Sequence, residues 1–109
     1  MEVRPRKIVI LQLEGGRSPY DEWFNGLKSV ALQSAVDARL TRVRDGNFGD
    51  HRPVGEGVYE LRIHKGPGLR VYYALRGREL VILIGGGDKS SQQRDIRTAM
   101  RLWRSYNEA

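Results

Sequence analysis

Two segments in the second half of the chain alternate apolar with polar residues and meet across a glycine-rich turn. The segments are residues 58–64 and 69–75, and the turn between them is Lys65-Gly66-Pro67-Gly68. Because successive side chains of a β-strand point to opposite faces, this alternation predicts two half-buried strands. The short connection predicts that the two strands pair in antiparallel orientation.

The same alternation predicts how the two strands are aligned. One face is apolar and carries Tyr59, Leu61, Ile63, Leu69, Val71 and Tyr73. The other face carries Glu60, Arg62, His64, Arg70 and Tyr72. A shift by one residue would turn the arginines into the core, so the pattern favours one register. We therefore expect the two arginines to share a polar face, within reach of one phosphate group.

The remaining sequence predicts two more strands and three helices. Residues 3–13 are predicted as a first strand, and residues 80–84, which are apolar on both faces, as a strand inside the sheet. Ser18 and Pro19 are typical of a helix start, and a second helix is predicted over residues 30–44. Residues 45–50 are predicted as a loop, and the last helix as beginning at Ser90 with a capping box to Gln93. These elements predict one α+β domain over residues 1–109, in which a helical hairpin and a C-terminal helix pack on a small, mostly antiparallel sheet.

The charge of the chain favours a phosphate-bearing partner. Its net charge is +6, and fifteen of its nineteen cationic residues are arginine. Arginine suits a nucleic-acid partner, because its planar guanidinium binds phosphate through paired hydrogen bonds and stacks on bases. A bias of the genome towards arginine codons is the alternative explanation.

Several classes of protein and of site are excluded by what the sequence lacks. Without cysteine there are no disulfides, no cysteine nucleophile and no thiolate metal ligand. The two histidines lack metal-binding spacing, so we expect no metal and no other cofactor. The glycines before Lys89 lack the spacing of a nucleotide-binding loop, and no Gly-x-Ser-x-Gly motif is present. We recognise neither a bilayer-spanning run nor a signal peptide, and so we expect a cytoplasmic protein.

Cleavage of RNA without a metal ion fits the polar residues that remain. The ribose 2′-hydroxyl is then the nucleophile, so the protein must orient the attack, stabilise extra negative charge and move two protons. Arg62 and Arg70 are candidates for charge stabilisation, assisted by Lys89, which follows the interior strand. The candidate proton carriers are His64, Glu60 and Asp88.

Each of these residues also has a plain structural interpretation. Arg62 and Glu60 can form a surface ion pair of small energetic value. His64 can simply end its strand, and Asp88 can cap the last helix. The arginines of the last helix can form an ordinary solvated face.

Four segments of the chain, together with its first helix start, resemble a known family. The segments are residues 46–50, 54–62, 66–73 and 86–96, and the helix start is Ser18-Pro19-Tyr20 followed by Trp23. Over nearly the whole chain they are similar to the phage-derived, HigB-like branch of the RelE/ParE toxin superfamily, whose members are described as addiction-module killer proteins. The resemblance implies a single RelE-like toxin domain, with a helical hairpin against a mostly antiparallel sheet.

The resemblance also implies roles for individual residues. Arg70 matches the arginine of a Gly-Tyr-Arg motif associated with phosphate activation, and Arg62 and Lys89 match basic positions of the family. The chain departs from the family pattern at Leu69, Glu60 and Asp95, where a tyrosine, a basic residue and a tyrosine are usual. We also predict RNA contacts from four further residues, Arg76, Gln92, Arg94 and Arg97.

The function implied is that of the toxin of a type II toxin–antitoxin module. Such a toxin is a ribosome-dependent endoribonuclease that cleaves mRNA in the ribosomal A site. Its partners would be the ribosome, mRNA and a cognate antitoxin of the helix-turn-helix type, with a homodimer left open and no membrane involved. Two alternatives remain at this point. One is a ParE-like, non-enzymatic inhibitor of DNA gyrase that acts through its last helix, and the other is an inactive phage remnant that only binds an antitoxin.

Overall fold

The computed structural model describes residues 5–108 and places them in an α+β fold with a five-stranded sheet and three α-helices. The strands are β1 (Lys7–Ile10), β2 (His51–Gly55), β3 (Val58–Ile63), β4 (Leu69–Arg76) and β5 (Leu80–Asp88). The helices are α1 (Pro19–Asn25), α2 (Val30–Arg44) and α3 (Gln92–Glu108), and a single 3₁₀ turn, Lys89–Ser91, leads into α3.

The sheet has the strand order β1-β5-β4-β3-β2. Only the pair β1 and β5 is parallel, and the other three pairs are antiparallel. The predicted fold class is therefore confirmed. The predicted register is confirmed as well, because Leu61 lies opposite Val71 and Arg62 lies opposite Arg70.

The strand boundaries differ from the prediction in three places. No strand was predicted over His51–Gly55, the segment that forms β2; it is mostly exposed and contains Pro53, a residue that is depleted in strands away from edges. β5 continues through its three glycines to Asp88, since this stretch pairs with the start of β4. The first strand, predicted over 3–13, covers only Lys7–Ile10, and residues 1–4 lie outside the described part of the chain.

Helices cover both faces of the sheet and create two apolar cores. On one face, Val36, Leu40 and Val43 of α2 pack with residues such as Leu61 and Val71. On the other face, the buried residues are Ala99 and Trp103 of α3 with Val58, Tyr72, Ala74, Ile82 and Ile84 of the strands. The predicted polar face of β3 and β4 is thus the face that α3 covers in part, and its uncovered end forms the candidate site.

Two glycines of β5 allow the helices to approach the sheet closely. A methyl group added at Gly86 would lie 2.3 Å from ring atoms of Trp23 in α1. A methyl group at Gly87, on the opposite face, would overlap the carboxylate of Asp95 in α3. These glycines are needed because they lack a side chain, and no unusual backbone angle is involved.

The helix starts follow the expected capping chemistry with one exception. The hydroxyls of Ser18 and Ser29 accept hydrogen bonds from the backbone of α1 and α2. The last helix was expected to be capped by Ser90, but Asp88 caps the 3₁₀ turn before it and accepts from Ser90 N at 2.8 Å. Among the described helices, none is long and apolar enough to cross a membrane.

Candidate functional site

A fully buried carboxylate lies at the centre of the polar face. Glu60 Oε1 accepts hydrogen bonds from Arg52 Nε at 3.1 Å and from Arg62 Nε at 3.2 Å. Gln92 of α3 donates to Oε2 of the same carboxylate at 3.0 Å. Arg70 Nε lies 3.9 Å from Oε1. Guanidinium groups from three neighbouring strands therefore converge on one negative charge.

The environment of Glu60 keeps this carboxyl group ionised. Burial alone would raise its pKa, but hydrogen bonds from Gln92, Arg52 and Arg62 outweigh burial, and the pKa is lowered from its ordinary value. A carboxylate in this state accepts hydrogen bonds at neutral pH and has no proton to donate. Of the roles predicted for Glu60, the ion pair is the one that the geometry favours.

Arg70 is buried, yet its hydrogen-bonding capacity is largely unused. The residue is 7% exposed, and its Nε has no hydrogen-bond partner among the described residues. Its Nη1 donates to the carbonyl of Leu69 at 3.3 Å. Because a buried donor without a partner is costly, this guanidinium is suited to an anionic ligand.

Arg70 lines an open groove together with two other predicted site residues. The groove has a volume of about 380 Å³ and is lined by His64, Lys65, Gly66, Pro67, Gly68, Arg70 and Lys89. The turn between β3 and β4 forms one wall, and the start of the 3₁₀ turn forms the other. We refer to this feature as the Arg70 groove.

His64 is paired with the carboxylate of Asp50, the residue directly before β2. Its Nε2 lies 2.6 Å from Asp50 Oδ2, and both side chains are exposed. The hydrogen bond from His64 is the largest cause of a lowered pKa of Asp50. Asp50 orients the imidazole ring, and this role was missed because Asp50 belongs to the segment predicted as a loop.

A buried arginine of α2 holds this end of the sheet in place. Arg39 donates to the carbonyl groups of Phe48, Arg62 and Asp50 at 3.1, 2.8 and 2.6 Å. These hydrogen bonds connect α2 to the segment directly before β2 and to β3. Sequence reasoning missed Arg39, since an arginine in a helix is usually exposed to solvent.

A second groove adjoins the first and shares Lys89 with it. This groove of about 420 Å³ is lined by Lys89, Ser90, Ser91, Gln92, Gln93, Arg94 and Arg97. Three of the four predicted RNA-binding residues therefore lie next to the Arg70 groove. We refer to this feature as the Arg94 groove.

Two predicted site residues, Arg76 and Asp88, are not among the residues that line the two grooves. Arg76 lies at the opposite end of β4 from Arg70, with its guanidinium over the ring of Trp103 at 5.5 Å and bonded to Asn107. Asp88 is held by Ser90, whose hydrogen bond lowers the pKa of the Asp88 carboxyl group. Asp88 is thus an acceptor in a cap, as one of the two interpretations of this residue predicts.

Metal ligands are not clustered in the described part of the chain. No group of three or more His, Asp or Glu side chains there could hold a metal ion. The cationic groups are clustered instead, around Glu60 and along the two grooves. The arrangement can bind and neutralise an anion.

Comparisons with known proteins cover the residues of this site. Residues 22–104 match the family described as Phage derived protein Gp49-like (DUF891). The chain is also similar to an uncharacterized protein of Haemophilus influenzae, with 45% identity over 83 residues. That match covers 76% of this chain and 84% of the relative.

Proposed function

Because the chain belongs to the Gp49-like phage-derived protein family, a family of RelE/HigB-like toxins, we propose that it is an mRNA-cleaving toxin. In this proposal it is the toxin of a type II toxin–antitoxin module, and a cognate antitoxin restrains it. It acts on mRNA in the ribosomal A site as an endoribonuclease. The observation that carries the proposal is the buried Arg70 guanidinium, which lines a groove shared with Lys89 and has donors that no described residue uses.

The proposed reaction uses the RNA itself as nucleophile. The ribose 2′-oxygen attacks the adjacent phosphorus, and the bond to the 5′-oxygen of the next nucleotide breaks. The products are a 2′,3′-cyclic phosphate and a free 5′-hydroxyl group. Arg70 and Lys89 would hold the phosphate and stabilise the additional negative charge of the phosphorane, and Arg62 would add to the positive potential.

His64 is the proton carrier that the geometry favours. It lines the Arg70 groove, and Asp50 fixes the orientation of its ring. An imidazole ring has two nitrogens, of which one can accept a proton while the other donates one, so His64 can serve one of the two proton transfers. Glu60 and Asp88 are less suited to this role, because each is held as a hydrogen-bond acceptor.

The Arg94 groove would bind the RNA beside the scissile phosphate. Arg94 and Arg97 are exposed on the first turns of α3 and line a groove that continues from Lys89. Contacts of this kind to flanking phosphates position the strand and contribute affinity.

Cleavage of mRNA on programmed ribosomes tests the proposal. We expect Arg70→Ala to lower the cleavage rate by roughly 10²–10³, as typical for loss of one transition-state donor. Lys89→Ala should have a smaller effect, because this side chain is exposed and its charge is screened by solvent. Arg101→Ala, on the exposed face of α3 outside both grooves, is the matched control and should cleave normally.

Three outcomes would contradict the proposal or part of it. Full cleavage by a folded Arg70→Ala variant would remove the phosphate role from Arg70. If the parent protein leaves mRNA intact but inhibits supercoiling by gyrase, it is a gyrase toxin. If it does neither and only binds its antitoxin, it is an inactive remnant.

A further inference from the structure

We propose that Glu60 is a positioning residue that holds the guanidinium groups of Arg52, Arg62 and Arg70 ready for the scissile phosphate. This inference rests on the proposed function and adds two parts to it. It gives Glu60 an indirect role in place of proton transfer. It also adds Arg52, of the edge strand β2, to the groups that meet the RNA.

The direction of the hydrogen bonds is the first observation. Arg52 and Arg62 both use Nε to bind Glu60, and Arg70 Nε is the atom nearest to the same oxygen. A guanidinium carries one N–H on Nε and four on its two terminal nitrogens. Neither Arg52 nor Arg62 donates from a terminal nitrogen to another described residue. Those donors therefore remain available for phosphate oxygens.

The placement on the sheet is the second observation. Arg52 lies opposite Glu60 in the pairing of β2 with β3, and Arg62 lies opposite Arg70 in the pairing of β3 with β4. The three arginines thus cross three adjacent strands on one face. Side-chain exposure decreases from 44% at Arg52 through 33% at Arg62 to 8% at Arg70. The row leads from solvent to the buried Arg70, which lines the Arg70 groove.

The balance of charge is the third observation. Three cations around one carboxylate leave a net charge of +2 in a small, partly buried volume, where like charges repel strongly. Glu60 reduces this repulsion and gives the side chains a common anchor. Gln92 holds the other carboxylate oxygen from α3, so the anchor itself is fixed from both sides.

A purely structural role for Glu60 makes different predictions from a positioning role. If Glu60 only connects β2, β3 and α3, its loss lowers stability, and activity falls in proportion to the unfolded fraction. If Glu60 positions the guanidiniums, the folded protein still binds anions, because the cations remain, but the reaction slows. In that case the cleavage rate falls while the affinity for the anionic ligand is kept.

The first experiment measures the parent protein by NMR and needs no ribosome. We expect the Nε–Hε protons of Arg52 and Arg62 to exchange with solvent about tenfold more slowly than that of Arg101, since both are hydrogen-bonded. Exchange as fast as at Arg101 would overturn the proposal. This readout tests whether Glu60 holds the arginines even if Glu60 variants fail to fold, and it is independent of whether the protein cleaves RNA.

The second experiment compares Glu60→Gln with Glu56→Gln in single-turnover cleavage. Glu56 is an exposed carboxylate paired with Arg104 and serves as the matched control. We expect Glu60→Gln to lower the rate by about 10²-fold, as misplaced catalytic groups do, with a half-saturating ribosome concentration that is unchanged or lower. Glu60→Asp, which keeps the charge, should lose less.

Two results of this comparison would contradict the positioning role. One is a folded Glu60→Gln variant that cleaves at the parental rate. The other is a loss of rate that follows the unfolded fraction, measured by thermal denaturation of the same samples. If the parent protein itself cleaves nothing, the proposed function fails, and the NMR experiment alone decides whether Glu60 holds the arginines.

Discussion

Charged side chains on a strand can be buried without being part of an apolar core, and Glu60 and Arg70 are examples. Both belong to the polar face that the alternation of β3 and β4 predicts. They are nevertheless buried, because the first turn of α3 and the side chains of Arg52 and Arg62 cover this part of the face. Burial strengthens each electrostatic contact and makes an unpaired group costly.

At the residue scale, we predict that Glu60 makes the stability of the protein sensitive to acid. Its pKa is lowered in the folded state from the ordinary value of 4.5, so its stabilising contribution is present above that value and is lost as the pH falls through the folded pKa. Glu60→Gln should lower the free energy of unfolding at pH 7 by about 3 kcal/mol and flatten its decline in acid.

Urea denaturation between pH 7 and pH 3 measures this effect. The exposed Glu14 offers a control, and Glu14→Gln should follow the parent protein across the range. If the free energy of unfolding falls with pH in the same way for the parent protein and Glu60→Gln, Glu60 is not stabilised in its ionised form.

At the scale of elements, the glycine-rich end of β5 determines how closely the helices pack. α1 approaches β5 at Gly86, and α3 approaches the opposite face at Gly87. Because the 3₁₀ turn with Lys89 follows directly, the same stretch also places one wall of the Arg70 groove. The strand thus connects helix packing with the geometry of the site.

We predict that Gly86→Ala destabilises the protein and that Gly85→Ala does not. The added methyl group at Gly86 would overlap the Trp23 ring, which must shift, and overpacking of this kind costs about 1–3 kcal/mol. At Gly85 no atom lies within 4 Å of the added group, so the change should stay within about 0.5 kcal/mol. Chemical denaturation of the two variants checks this, and equal stabilities would show that Trp23 adapts freely.

At the scale of the whole molecule, two grooves lined by cationic side chains meet. The net charge is +6, and Lys89 belongs to both the Arg70 groove and the Arg94 groove. A surface of this kind attracts a polyanion over a distance comparable to the Debye length, about 8 Å at physiological ionic strength. It favours a ligand that extends over more than one phosphate.

We predict that binding to ribosomes weakens steeply with salt, because phosphate contacts release counterions. The double variant Arg94→Ala/Arg97→Ala should reduce the slope of log K against log salt by about 2, roughly one for each of the two lost contacts. Arg17→Ala, which removes an exposed arginine paired with Glu22, is the control and should keep the slope. Affinity that does not change between low and physiological salt would argue against a nucleic-acid partner.

The local pattern of the sequence was sufficient to predict the helices, the inner strands and the register of β3 with β4. Periodicity and capping residues are properties of neighbouring positions, so α2 (Val30–Arg44) and the opposition of Arg62 and Arg70 could be predicted from them. The cationic character of the site could be predicted as well, because the alternation places Arg62 and Arg70 on one polar face.

Only the tertiary structure decided which groups meet and which are buried. The pairing of β2 brings Arg52 to Glu60, α3 brings Gln92 to the same carboxylate, and Asp50 reaches His64 across fourteen residues of sequence. These contacts join segments that are distant in the chain, and no periodicity records them. Burial of Glu60 and Arg70 depends in the same way on where α3 packs, since a polar strand face is exposed unless another element covers it.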